Sequence, residues 1–247
     1  MNPFSALLRP AAVPSGIGSG RGRFALTHFW LPLVGFLLGT YILWAGGLDH
    51  WLADRLFAWE GGRWALRQAW ITETVIHGDG KRLSTLAWLA ALGLAAWASL
   101  RDEWRHWRRP LWYLVVAVAT CTLAIALLKT QTRMFCPWDL TRYGGHHAFV
   151  GLFDPRPEGM GHPKCFPAGH ASGGYAWLAL YFFALAARPA WRWGGLAIGL
   201  GMGMLFGISQ QLRGAHFLSH DLWTLTLCWM LCLGLYAAWF RRTGKPA

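Results

Sequence analysis

Cys165-Phe166-Pro167-Ala168-Gly169-His170-Ala171-Ser172-Gly173-Gly174-Tyr175 runs straight into Ala176-Trp177-Leu178-Ala179-Leu180-Tyr181-Phe182-Phe183-Ala184-Leu185-Ala186-Ala187. A titratable side chain stands at the mouth of an apolar segment close to membrane-spanning length. Pro167 stops whatever precedes it, Gly169 permits a tight turn, and a helix is expected from about His170. Free N–H groups and the positive dipole end at such a start suit an anion, phosphate above all. A histidine beside it can move a proton near neutral pH. Taken alone, Pro-x-Gly-His is a weak pattern, and a helix start whose histidine satisfies a neighbour explains it better.

The surrounding chain changes that balance. Of 247 residues 55% are hydrophobic and only 14% charged, with 18 Trp; soluble domains carry about 25% charged residues. The apolar residues cluster in runs, so the chain reads as an all-α polytopic membrane protein. Its formal charge of +12 would suggest nucleic acid in a soluble protein. Here the cations flank apolar runs, which fits membrane topology and anionic lipid, and no nucleic-acid motif is present.

Outward from residue 165, six apolar runs appear: about 29–47, 83–100, 111–128, 170–187, 194–209 and 222–240. They predict a six-transmembrane helical bundle. Residues 1–26, with Arg9, Arg21 and Arg23, read as a flexible basic tail without a cleavable signal, and 27–247 as a single membrane-embedded domain. Between the first two runs, 48–82 alternates charge and aromatics and predicts short amphipathic helices at the membrane surface. The fifth run carries Gly194, Gly195, Gly199, Gly201, Gly203 and Gly207, which favours close helix packing. Six spans place both termini on one side with the basic turns 101–109 and 188–192, hence the cytoplasmic side. The loops 48–82, 130–169 and 210–221 then face outward.

Three polar clusters share that outer end: 129–139 from Lys129 to Asp139, 167–170, and 209–221 from Ser209 to Asp221. Two histidines, several cations and a carboxylate at aligned helix ends suit phosphoryl transfer. Cations and helix N–H groups neutralise phosphate oxygens, one histidine attacks phosphorus, a partner orients that imidazole, and the second histidine protonates the leaving oxygen.

In these clusters the chain resembles the type-2 phosphatidic acid phosphatase family of membrane lipid phosphatases, whose pattern is Lys-x6-Arg-Pro, Pro-Ser-Gly-His, then Ser-Arg-x5-His-x3-Asp. Here Lys129 is followed by Cys136-Pro137, so Cys replaces the first Arg. Ala168 stands for Ser before Gly169-His170. Gln210 stands for Arg before His216, and His220 occupies the Asp position with Asp221 one residue later. The resemblance covers about 95–240. It implies that His216 is the nucleophile and His170 the general acid, with Asp221 or His220 orienting His216. Lys129 would bind phosphate with the Ala168-Gly169 helix start, and Arg133 and Arg213 would replace the missing arginines. It implies no metal and no cofactor.

The cysteines divide. Cys121, Cys228 and Cys232 lie in apolar runs and read as packed thiols. Cys136 and Cys165 share the outer loop, where a disulfide would join the first cluster to the second. A metal at His146, His147, His162 and Cys165 matches no standard zinc spacing. Asp139 could pair with Arg142, and Trp30, Trp112, Trp177, Trp223 and Trp239 near run ends suggest an interfacial belt.

The expected protein is therefore a multi-pass lipid phosphatase of a bacterial inner membrane, its site facing the periplasm and both termini cytoplasmic. It would act through a phosphohistidine on undecaprenyl pyrophosphate, phosphatidic acid, phosphatidylglycerol phosphate or a lipid A phosphate. Its partners would be that lipid and the bilayer, with no nucleic acid. A lipid-to-lipid phosphotransferase on the same site, and an inactive lipid-binding or transporter-like protein, are the alternatives.

Overall fold

The computed structural model describes residues 19–241. Among them the chain is all-helical, with one isolated bridge between Leu140 and His147 in place of any strand. The helices are α1 (Ser19–Ala25), α2 (Leu31–Trp44), α3 (Leu48–Trp59), α4 (Gly80–Ser99), α5 (Arg105–Thr132), α6 (Gly169–Tyr175), α7 (Ala179–Ala187), α8 (Arg192–Leu212) and α9 (Leu218–Tyr236). Four stretches are long and apolar enough to cross a membrane: Gly20–Trp44, Asp102–Asp139, Pro189–Leu212 and Leu218–Arg241. The runs 83–100 and 170–187 also form helices, α4 and α6–α7, but do not meet that measure.

The expected tail ends earlier than residue 26, because α1 already begins at Ser19; the rest of the tail, Arg9 included, lies outside the described residues. α1 continues into α2 through a π-helical turn, Leu26–Trp30. Pro32 explains that turn: it brings no N–H, and its ring crowds the carbonyl four residues back. That carbonyl, on His28, is taken instead by the Trp229 indole N–H at 2.7 Å, which ties the first span to α9.

α8 packs by its glycines. A Cβ on Gly195 would lie 2.7 Å from Leu180 carbonyl carbon, on Gly199 2.5 Å from Leu178 nitrogen, and on Gly203 2.0 Å from the Tyr175 ring. Spaced four apart, these positions form one seam that lets α8 lie directly on α6–α7. α5 and α9 enclose the other side around Tyr113, Ile125, Phe182, Cys121, Cys228 and Cys232, the three thiols being free and buried. α4 is fastened to α6 by Ser84, whose hydroxyl donates to Gly173 carbonyl at 2.7 Å and accepts from the Trp177 indole at 3.0 Å. Trp177 is therefore a buried clamp and not part of an interfacial belt.

One end of the bundle gathers the C-terminal ends of α5 and α8 and the N-terminal ends of α6 and α9. The 48–82 segment covers it with α3, a short turn at Ala65–Gln68 and a π-helical stretch at Ile71–Asp79. Asp49 caps α9 by accepting the Ser219 N–H at 2.9 Å. Loop 130–169 folds over α3 through Leu140 and Tyr143, which pack with Ala53 of α3 and with Phe217 of the α8–α9 turn. Arg142 pairs with Asp54, at 2.7 and 2.5 Å, and not with Asp139. Asp139 instead accepts the Cys136 N–H at 3.2 Å.

Candidate active site

The helix ends surround a cavity of ≈ 740 Å³. Its polar wall carries Lys129, Gly169, His170 and His216, as the sequence pattern predicts, together with His77, Lys81, Lys164 and Gln210. Its apolar wall is the crevice between α4 and α5, with Trp88, Val118, Ala119 and Leu123. A charged mouth and an apolar crevice in one cavity fit an anion on a long apolar chain.

Each polar group is placed by an identifiable element. Lys129, on the last turn of α5, reaches across to α6: its Nζ would lie 2.8 Å from a Cβ on Gly169, so the ammonium rests directly on the start of that helix. His170 opens α6, stacks on His77 with ring centres 4.5 Å apart and packs against Phe206 at 4.5 Å. Its Nε2 carries a proton, since it donates to the Ile76 carbonyl at 3.2 Å. His216 sits in the α8–α9 turn, 7% exposed, and its Nδ1 lies 3.2 Å from Nδ1 of His220. Burial, His220 and the Lys129 ammonium push His216 well below the usual imidazole value, so it is neutral at pH 7. The Cys165 backbone lies against both imidazoles.

Cys136 and Cys165 form a disulfide, their Cα atoms 5.2 Å apart, and both line the cavity. The one group of metal-type side chains among the described residues is Cys136, Asp139 and Cys165, two of which the disulfide consumes. His147 stacks on Phe135 at 3.9 Å and is not a member of that group.

Four expected residues are elsewhere. Asp221 faces α8: it accepts from the Gln211 amide at 2.5 Å and its other oxygen has no protein partner, lying where a Cβ on Gly207 would meet it at 2.7 Å. It therefore does not orient His216; the residue at the pattern position, His220, is the one in contact. Arg133 caps α5 with a left-handed backbone (φ 46°) and an exposed side chain outside the cavity wall. Arg213 is 6% exposed but engaged, in an ion pair with Glu73 and a 2.9 Å bond to Arg67 carbonyl. Ala168 is buried, its N–H given to His220 carbonyl at 3.3 Å, and so offers nothing to a ligand. Three titratable cavity residues escaped the sequence reading: His77, Lys81 and Lys164. Lys164 directly precedes Cys165 in the pattern stretch, and its position was the available signal. For His77 and Lys81 nothing in the linear sequence links residues 77–81 to clusters beginning at 129.

An all-helical bundle with apolar spans and a cationic, histidine-bearing cavity at one end defines a membrane-type protein with a polar site at the helix ends. The family comparison agrees. The model of the PAP2 superfamily matches residues 110–244, more than half of the chain, and the protein belongs to that superfamily. Its members are phosphatases, which supports a phosphoesterase. No match was found among curated proteins or among solved structures.

Proposed function

We propose that the protein removes a phosphate, as a monoester or from a pyrophosphate, from a membrane lipid. The observation that carries this is the single cavity that joins neutral His216, backed by His220, to Lys129 and to the apolar α4–α5 crevice. The lipid chain lies in the crevice and the phosphate under the three loops. When His216 Nδ1–H donates to His220 Nδ1, the His216 Nε2 lone pair is free to attack phosphorus. The N–P bond forms as the bond from phosphorus to the lipid or pyrophosphate oxygen breaks. His170, in its protonated form, gives that oxygen a proton. Water, giving a proton to the now neutral His170, then attacks phosphorus as the N–P bond breaks, returning His216 and releasing phosphate. Lys129, Lys81 and Lys164 offset the charge on the phosphate oxygens.

The spans Gly20–Trp44, Asp102–Asp139, Pro189–Leu212 and Leu218–Arg241, joined by α4 and α6–α7, make six crossings in this reading. The basic turns at 101–109 and 188–192 lie at the opposite end from the cavity, which supports a site at the periplasmic face of an inner membrane. There undecaprenyl pyrophosphate and lipid A phosphates are the favoured substrates over phosphatidic acid and phosphatidylglycerol phosphate.

The test is phosphate release by purified protein in detergent from a panel of these lipids, with chelator present. Release by the wild type and its loss in both His216→Ala and His170→Ala is expected. No release from any lipid, with all three proteins binding lipid alike, refutes hydrolysis and leaves a binding protein. Release of dephosphorylated lipid only when an acceptor lipid is added identifies a phosphotransferase.

A further inference from the structure

Both arginines of the family pattern are missing: Cys136 is in a disulfide, and Gln210 is neutral. The expected replacements do not reach the cavity. The side chain that does occupy this wall is His77, from the π-helical stretch Ile71–Asp79, outside the matched residues 110–244.

The contacts of His77 fix its proton. Arg213 NH1 lies 2.7 Å from His77 Nδ1, and a guanidinium only donates. Nδ1 is therefore an acceptor, and the Gln210 amide nitrogen at 3.3 Å is on the same side. Gln210 oxygen accepts from the same Arg213 NH1 at 3.2 Å, which fixes the amide orientation. A proton on Nδ1 would face a buried cation already held by Glu73 and Arg67 carbonyl. The ring is thus held as the neutral tautomer with its proton on Nε2. Burial and Lys81 act in the same direction, lowering the imidazole below its usual value. Lys81 follows four residues later, on the same helical face, and also lines the cavity.

We infer that His77 is a phosphate-binding residue, its Nε2–H donated to a substrate phosphate oxygen and polarised by Arg213 behind it, with Lys81 adding charge on the same wall. Arg213 acts at one remove, through His77, where the family pattern places an arginine directly. A neutral imidazole donor exchanges no proton with the substrate, so His77 binds and does not serve as general acid. This rests on the phosphatase reading only for the step that follows binding; the anion site itself does not require turnover.

The experiment measures binding of inorganic phosphate and orthovanadate to the purified full-length protein by calorimetry, alongside phosphate release. The variants are His77→Phe, His77→Gln and His77→Phe with Gln210→Arg. His77→Phe keeps the stack on His170 and removes the donor, and binding is expected to weaken about 10-fold or more. His77→Gln places an amide N–H near the same point and should stay within about 3-fold of wild type. Gln210→Arg in the His77→Phe background should recover most of the loss, since it restores a cation where the family has one. Where His77→Phe does not fold, His77→Asn substitutes, because it retains an acceptor toward Arg213 while withdrawing the cavity-side N–H. Unchanged phosphate binding in the folded donor-less variant overturns the inference. So does equal loss in His77→Gln, which would mean that the ring and not its N–H matters. A lost basic limb in the pH profile of His77→Phe also overturns it, by making His77 the acid. Wild type that binds phosphate through His77 but releases none from any lipid refutes the hydrolase and leaves this inference standing. Wild type that binds neither phosphate nor orthovanadate overturns this inference, while release from lipid decides the hydrolase separately.

Discussion

Replacing His220 tests the core of the site most directly. His220 is fully buried, contacts His216 nitrogen to nitrogen at 3.2 Å, and its ring is held edge-on by Phe166 at 5.1 Å. It does not line the cavity, so it acts on the substrate only through His216. His220→Ala removes the one side-chain partner seen at His216 Nδ1. With only the Cys165 backbone left beside the ring, the proton on His216 moves more readily to Nε2, where it blocks the attacking lone pair. A lost hydrogen bond between neutral groups and a freed tautomer are together worth about 1.5–3 kcal/mol, or roughly 10- to 150-fold in rate. Because no substrate contact is lost, kcat should fall while KM stays within about 2-fold. His220→Asn supplies an oxygen that can accept from His216 and should recover part of the rate. Steady-state phosphate release, with Asp221→Asn in parallel, reads the outcome. Full activity in His220→Ala together with a collapse in Asp221→Asn would refute the reasoning and return the orienting role to the carboxylate. A rise in KM with kcat unchanged would also refute it.

Lys129→Ala removes the ammonium packed on Gly169 and is expected to weaken phosphate binding about 10-fold or more by calorimetry, whereas Arg133→Ala, outside the cavity, should not change it. Burial holds the Asp49 carboxyl up to about 6. With its folded value above the unfolded value of about 3.9, the folded state binds the extra proton, so stability falls as pH rises through about 4 to 6 and then levels. Asp49→Asn, which can still accept from Ser219, should abolish that fall in a melting series across pH. Reduction, or Cys136→Ser with Cys165→Ser, opens a loop of sequence separation 29 and should lower stability by about 3 kcal/mol, read as denaturant midpoint. Gly203→Val drives a side chain into Tyr175, which a Cβ alone would meet at 2.0 Å; the glycine seam should open, costing about 1–3 kcal/mol or more and visible as a lower melting temperature.

The parts legible in the sequence are those whose physics is local. Apolar runs declare helices, Gly195, Gly199 and Gly203 declare a packing seam by their spacing, and His170 and His216 are tied to helix ends by Gly169 and by the turn after α8. The differences at Asp221, Arg133 and Arg213 share one cause: neighbours in sequence are not neighbours in space. Asp221 neighbours the pattern position by one residue, but one residue on a helix is a rotation of about 100°, and it carries the carboxylate from His216 round to Gln211. Arg133 and Arg213 sit near the missing arginines in sequence, yet one caps α5 outward and the other is held by Glu73. Conversely, His77 lies more than fifty residues from the nearest cluster and reaches the cavity only because the 48–82 segment folds back over the bundle end. Its tautomer depends on a guanidinium 136 residues away. If a cation lost from a pattern position can be replaced by charge relayed through a neutral ring, then the test of whether such a divergent site can work is not the count of retained arginines. It is whether a donor with a fixed proton faces the phosphate, and His77 with Arg213 behind it meets that condition while Arg133 does not.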